Sequence, residues 1–366
     1  MVKYPIRVFL VEDSPVAIAI LKRMLSSSPE IEVVGTARTG KEALELIPQV
    51  KPNVICTDFN MPQMNGLEFT REIMVTFARP ILVISASVQT EDTENVFKLL
   101  QAGAVDVFPK PTAGLSADYE RAKQGLINKI KILSGVTVFT QHRREFSAIK
   151  TESAVKTSPK PSTTPNKVEV YQRRSNASAK MLVIGASTGG PQALHTIISQ
   201  LPANFPVPVI CIQHISEGFL QGLVDWLAIK SNMPVKIAPA GEIPRPGNIY
   251  FAPDRHHLEL NSQGRLVYLA APPVGGHCPS ITVTFNSIAK FYGQSAVGVL
   301  LTGMGRDGAD GMKAIANAGG ITIAQDEDSC VVFGMPKEAI ALGAAQYILP
   351  INDIAPLLLS KIPAKF

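Results

Sequence analysis

A chain of 366 residues is long for one hydrophobic core, and the usual domain size favours two. Its residues are 46% hydrophobic but only 6% aromatic, an Ala, Val, Ile and Leu-rich make-up that excludes a disordered chain and disfavours an all-β one. The net charge of +5 is local: residues 134–180 hold nine of the 35 Lys and Arg against three of the 30 Asp and Glu, so the remainder is close to neutral and implies no nucleic-acid face.

From Pro5 to about Leu133, strand-like and helix-like segments alternate: IRVFLV, PVAIAILKRML, IEVVGTA, KEALELI, NVICTD, GLEFTREIM, ILVIS, TENVFKLLQAG and AVDVFP. That spacing predicts βαβ units and a five-stranded, doubly wound, flavodoxin-like parallel sheet over residues 1–133. Glu12 and Asp13 follow the first strand, Asp58 the third, Ser85 the fourth and Lys110 the fifth. All five fall at carboxyl ends of strands, where open α/β sheets bind ligands. Three crowded carboxylates need a cation among them, and an all-oxygen set suits Mg²⁺. A phosphoryl group on Asp58 would share its charge with that metal, the Ser85 hydroxyl and the Lys110 ammonium. The Lys110–Pro111 bond is a candidate cis peptide.

These residues carry a resemblance. Residues 5–125, with TDFNMPQMNG around Asp58, resemble a two-component receiver domain. The resemblance implies Asp58 as phosphoacceptor, Glu12 and Asp13 as metal-binding acids, Ser85 as the switch hydroxyl and Lys110 as the phosphate-contacting lysine. Many receivers have Asp where Glu12 stands.

Residues 134–179 lose the periodicity and gather Ser, Thr, Pro, Lys and Arg, which predicts a flexible basic linker. Alternation resumes over 180–366 with MLVIGAS, PQALHTIISQL, VPVICIQHI, FLQGLVDWLAI, NIYFAP, HLELN, RLVYLA, SITVTFNSIAKFY, AVGVLLTG, GADGMKAIANAGG, ITIAQ and PKEAIALGA. A second, Rossmann-like α/β domain is expected.

In MLVIGASTGGPQALHTIISQL a strand runs through a glycine-rich turn into a helix, with Ser187 at the turn and Pro191 suited to the first helical turn. Such an elbow exposes a serine hydroxyl near backbone N–H groups able to bind an oxyanion. A dinucleotide-binding turn fits poorly: Gly185, Gly189 and Gly190 do not make G-x-G-x-x-G, and the next strand ends in Gln213 and His214 instead of an acid. His214 can act as base, and Asp307, on a third strand-end loop, can orient it. The order Ser, His, Asp departs from that of α/β-hydrolases.

GASTGG, IQHI, APDRHHLEL, LTGMGRDGADGM and SCVVFGMPKEA resemble the catalytic domain of the chemotaxis response-regulator protein-glutamate methylesterases. The resemblance implies hydrolysis of glutamate methyl esters on methyl-accepting chemoreceptors by Ser187, His214 and Asp307, with deamidation of receptor glutamines as a second activity. It also implies a chemotaxis histidine kinase as phosphodonor, Thr188 and Met304 near the oxyanion, His257 lining the pocket, and no cofactor in this domain. Where the family more often has Arg-Pro-Ser and a following acid, this chain has Cys278 and Thr282. A receiver-controlled transcription regulator and a non-catalytic scaffold are the rival readings. No basic helix-turn-helix segment favours the first, and the Ser/His/Asp set would be idle in the second.

The four cysteines, Cys56, Cys211, Cys278 and Cys330, form no C-x-x-C pair and read as reduced thiols. No run reaches the ~18 apolar residues of a membrane span and the first residues lead directly into a strand, so a cytoplasmic location without membrane insertion is expected. With Asp58 and Ser187 each on a strand-end rim, docking of the two rims would shield the ester site until phosphorylation repacks the receiver surface.

Overall fold

The structure is a computed structural model that describes residues 5–85, 90–111, 116–138 and 178–363. Most of the expected linker, residues 139–177, lies outside the described residues.

The N-terminal domain contains β1 (Ile6–Val11), α1 (Pro15–Leu25), β2 (Ile31–Ala37), α2 (Gly40–Val50), β3 (Val54–Thr57), α3 (Gly66–Thr76), β4 (Ile81–Ser85), α4 (Thr90–Gln101), β5 (Asp106–Pro109) and α5 (Ser116–Leu133). Its sheet is parallel, in the order β2-β1-β3-β4-β5. Both faces are covered, so the strand interiors are apolar: Val8 and Leu10 point into a core shared with α1 and α5, while Phe9 and Val11 point towards α2, α3 and α4. The Lys110–Pro111 bond, a candidate for cis, is trans; Cys278–Pro279 is the cis bond among the described residues.

The C-terminal domain contains β6 (Met181–Ala186), α6 (Gly190–Ile198), β7 (Val209–Gln213), α7 (Leu220–Lys230), β8 (Val235–Ile237), β9 (Ile249–Phe251), β10 (His257–Leu260), β11 (Leu266–Leu269), α8 (Ile281–Tyr292), β12 (Ala296–Leu300), α9 (Ala309–Asn317), β13 (Ile321–Gln325), α10 (Met335–Ala341), β14 (Tyr347–Leu349) and α11 (Ile351–Lys361). Seven parallel strands run β14-β13-β12-β6-β7-β9-β8, and β10 with β11 forms a separate antiparallel hairpin. Chain order reverses between β6 and β12, which makes their carboxyl ends the switch point of the sheet. Among the described residues no helix is long and apolar enough to cross a membrane.

The two domains share a core. Phe97 of α4 stacks on Trp226 of α7 with ring centroids 5.4 Å apart, and one apolar cluster runs through both. Gln192 Nε2 donates to the Ala104 carbonyl at 2.8 Å, and Ser216 Oγ to the Val107 carbonyl at 3.3 Å. The N-terminal domain thus presents the side formed by α4, β5 and α5 to the strand-end rim of the second sheet. The expected rim-to-rim arrangement is corrected on this side: β5 and α4 are edge elements whose apolar residues need cover, whereas the rim at Asp58 is polar.

Candidate active site and phosphoacceptor pocket

In the N-terminal domain, oxygen atoms of Glu12, Asp13 and Asp58 lie within 4.8 Å of one another. Glu12 and Asp58 are nearly buried, and Lys110 Nζ bridges them, 2.7 Å from Glu12 Oε1 and 2.9 Å from Asp58 Oδ2. Burial, reinforced by the nearby Asp58 charge, pushes the Glu12 carboxyl above its ordinary range, although the Lys110 hydrogen bond opposes this. Burial also works against the Lys110 charge, but its hydrogen bonds to Glu12 and Asp58 raise it overall. Glu12 Oε2 is buried with no partner. An orphaned carboxylate oxygen beside two more carboxylates fits a small hard cation such as Mg²⁺. Ser85 sits in the same place, buried, its carbonyl accepting from Lys110 N at 2.7 Å. A β-carbon at Gly66 would fall within 2.9 Å of Phe59 Cα and still closer to the Asp58 carbonyl, so only glycine lets α3 begin against the end of β3.

The second site lies at the switch point. Ser187 follows β6, and its N–H donates to the Thr302 carbonyl beyond β12 at 3.0 Å. Gly189 turns the chain with φ 76°, where a β-carbon would meet Val331 at 2.6 Å. The Thr188 and Gly189 N–H groups make no hydrogen bond among the described residues. Gln213 Nε2 donates to the carbonyls of Ser187 at 2.7 Å and His214 at 2.8 Å, joining the ends of β6 and β7.

Asp307 is the most constrained group of the site. Its Oδ2 lies 3.0 Å from His214 Nε2 and accepts from Ile281 N at 2.7 Å; its Oδ1 accepts from Ser280 Oγ at 2.8 Å, Thr282 N at 3.0 Å and Gly308 N at 3.0 Å. Ser280 is the N-cap of α8, so the carboxylate occupies a helix N-terminus. Burial disfavours its charge, but the His214 hydrogen bond and charge, with the donors of Thr282 and Ser280, hold Asp307 well below the usual range. The opposite ring nitrogen, His214 Nδ1, is buried without a partner. Nδ1 is therefore the nitrogen free to face a serine hydroxyl.

The remaining expected residues separate. Thr188 is 2% exposed because its hydroxyl donates to Asp106 Oδ2 of the other domain at 3.0 Å. Met304 is 51% exposed on the loop whose Gly303 abuts Ser187. His257, expected along the pocket, is fully buried. Its Nδ1 accepts from Ser280 N at 3.0 Å and its Nε2 donates to the Pro272 carbonyl at 3.2 Å, so both nitrogens serve the segment between those residues. That segment carries a residue that the sequence reading missed, His277, stacked face to face on His214. Thr282, a departure from the family pattern, holds Asp307 through its N–H, and its hydroxyl accepts from Gly308 N at 2.7 Å.

Residues 8–115 match the response regulator receiver domain model, and residues 182–358 match the CheB methylesterase model. The chain belongs to the CheB methylesterase family. It is 41% identical over 353 residues to a protein-glutamate methylesterase/protein-glutamine glutaminase of Syntrophus aciditrophicus, covering 96% of this chain and 97% of the relative. It is also 41% identical over 350 residues to one of Nitrosospira multiformis, covering 96% and 95%. The crystal structure of the Thermotoga maritima CheB methylesterase catalytic domain is 40% identical, with 50% of this chain and 99% of that one covered and a TM-score of 0.49. The methylesterase match spans β6 to α11 and holds Ser187, His214 and Asp307; the receiver match holds Glu12, Asp13, Asp58, Ser85 and Lys110.

Proposed function

We propose that this enzyme hydrolyses glutamate methyl esters on methyl-accepting chemoreceptors by a Ser187–His214–Asp307 triad. The observation that carries the reading is the polarity of His214, with one nitrogen held by a saturated, ionised carboxylate and the other left free at the serine elbow. Ser187 Oγ attacks the ester carbonyl as His214 Nδ1 takes its proton. Thr188 and Gly189 N–H groups are available to the oxyanion, with Met304 alongside. His214 returns the proton to the departing methoxide, methanol leaves, and water releases the free glutamate by the same route. With ammonia as leaving group the chemistry converts a receptor glutamine to glutamate, consistent with the double activity in the relatives' names.

Control is placed in the receiver. A chemotaxis histidine kinase phosphorylates Asp58, and Ser85 and Lys110 sense the phosphate; Glu12, Asp13 and Asp58 would hold a Mg²⁺ ion, which would supply positive charge against the phosphoryl oxygens. The docked receiver restrains the esterase: Thr188, next to the nucleophile, is engaged by Asp106, and α4 covers Trp226. Phosphorylation repacks that surface and releases the site, the basic segment 134–179 serving as tether. The cytoplasm is the compartment where receptor tails and kinase meet.

Methanol release from methyl-esterified receptor membranes, with and without a small phosphodonor, tests the reading. Phosphodonor-stimulated release that disappears in Ser187→Ala supports it; undiminished release by the folded variant overturns it.

A further inference from the structure

We propose that His277 is a positioning residue for this hydrolysis, its imidazole face fixing the plane of the His214 ring and supporting the charge that ring acquires; the inference rests on the triad reading above. The two rings are parallel to within 1°, with centroids 4.0 Å apart. A single hydrogen bond from Nε2 to Asp307 fixes one atom of His214 and leaves the ring free to tilt about it. A flat ring against its face removes that freedom and aims Nδ1 at the elbow.

The contrast with His257 bears on the role. Both nitrogens of His257 are spent on structure, bonded to Ser280 N and the Pro272 carbonyl. The His277 ring makes no hydrogen bond among the described residues and is held by stacking and by its loop. That loop is built to present it. Val274 and His277 exchange backbone hydrogen bonds at 3.0 and 3.1 Å around Gly275 and Gly276, whose φ values are 61° and 87°, and His257 fastens both flanks.

Charge favours the same arrangement. The titratable groups facing His277 are His214, Asp307 and, from α5 of the receiver, Lys129. Burial first, then the His214 charge, push the His277 imidazole down to about 4, with Lys129 acting in the same direction and Asp307 opposing it. A neutral aromatic face beside His214 tolerates an imidazolium, whereas a second cation would repel it.

The test uses the full chain with a small phosphodonor and methyl-esterified receptor membranes, reading kcat, KM and the pH profile of His277→Ala, His277→Phe and His277→Lys. His277→Ala is expected to lower kcat about tenfold or more with KM nearly unchanged, and His277→Phe, which restores a flat neutral face, to recover most of the loss. His277→Lys places a permanent cation against His214, so its plateau falls below that of Ala and the acidic limb of kcat/KM moves down by about one pH unit. A purely structural loop residue would alter KM and kcat together and leave the limb in place. Wild-type kinetics in His277→Ala, no recovery in a folded His277→Phe, or an unmoved limb in His277→Lys overturns the inference. Ser187→Ala separates the two readings: inert Ser187→Ala with an unaffected His277 series sinks this inference alone, whereas active Ser187→Ala sinks both.

Discussion

Each domain places a carboxylate at the carboxyl end of a parallel strand, yet Asp58 and Asp307 are provisioned in opposite ways. Asp307 accepts from five donors and has nothing left to offer a ligand. Asp58 shares one lysine with Glu12, whose second oxygen is buried and unpaired. A saturated carboxylate can only hold and orient; one with spare lone pairs beside other acids can take a cation or a covalent group. Hydrogen-bond provision, more than residue type or strand position, separates the saturated acid from the one with lone pairs to spare.

Removing the hydroxyl at the serine elbow has the largest expected effect: under the proposed triad, Ser187→Ala lowers methanol release by about 10⁴-fold or more while far-UV circular dichroism is unchanged. Asp307→Ala follows, with a rate loss of about 10³-fold and, because the α8 N–H groups lose their acceptor, a stability loss of about 1–3 kcal/mol in denaturant melts. If Asp307→Ala were as stable and active as wild type, the saturated-acid description would be broken. On the accepting side, Asp58→Asn abolishes Mg²⁺-dependent phosphorylation and the stimulation by phosphodonor but leaves basal hydrolysis; phosphate incorporated at the wild-type level would point to another acceptor.

Two smaller effects sharpen the link between the sites. Trp226→Ala removes the ring against which Phe97 stacks, and basal methanol release without phosphodonor should rise about three- to tenfold, since a few kcal/mol separate docked from undocked populations. An unchanged basal rate would mean that docking does not restrain the esterase. The smallest is a pH effect. The His277 imidazole is depressed in the fold, so the unfolded chain binds its proton first; the resulting stability is present above pH 6.5 and is lost as pH falls from 6.5 towards about 4. Thermal melts across that window should drop less steeply for His277→Phe than for wild type, and parallel curves would place the depression elsewhere.

Much of this was legible in the amino-acid order. Apolar runs of strand length separated by helical periods showed both parallel sheets, because strands buried on both faces must be apolar throughout. Polar residues directly after those runs marked the rim, which is why Glu12, Asp13, Asp58, Ser85, Lys110, Ser187, His214 and Asp307 could be singled out in one dimension. The short strands Val235–Ile237 and Tyr347–Leu349 and the helix Ile351–Lys361 were passed over. Three-residue strands carry too little periodicity to register, and Pro356 inside the last helix reads locally as a break.

What the sequence by itself determined was the set of strand-end groups, since a residue's place on the rim follows from its position after a buried run. Only the tertiary structure decided how those groups pair. Neither the five donors on Asp307, drawn from the α8 N-terminus, its own loop and His214 beyond β7, nor the His277 ring against His214 follows from spacing. The same holds for the two hydrogen bonds of His257 and for the side of the receiver that packs on the methylesterase rim. Each depends on which loops meet at the switch point between β6 and β12, elements more than a hundred residues apart in the chain. Local pattern dictates whether a side chain is buried; contacts across that separation dictate what it is buried against.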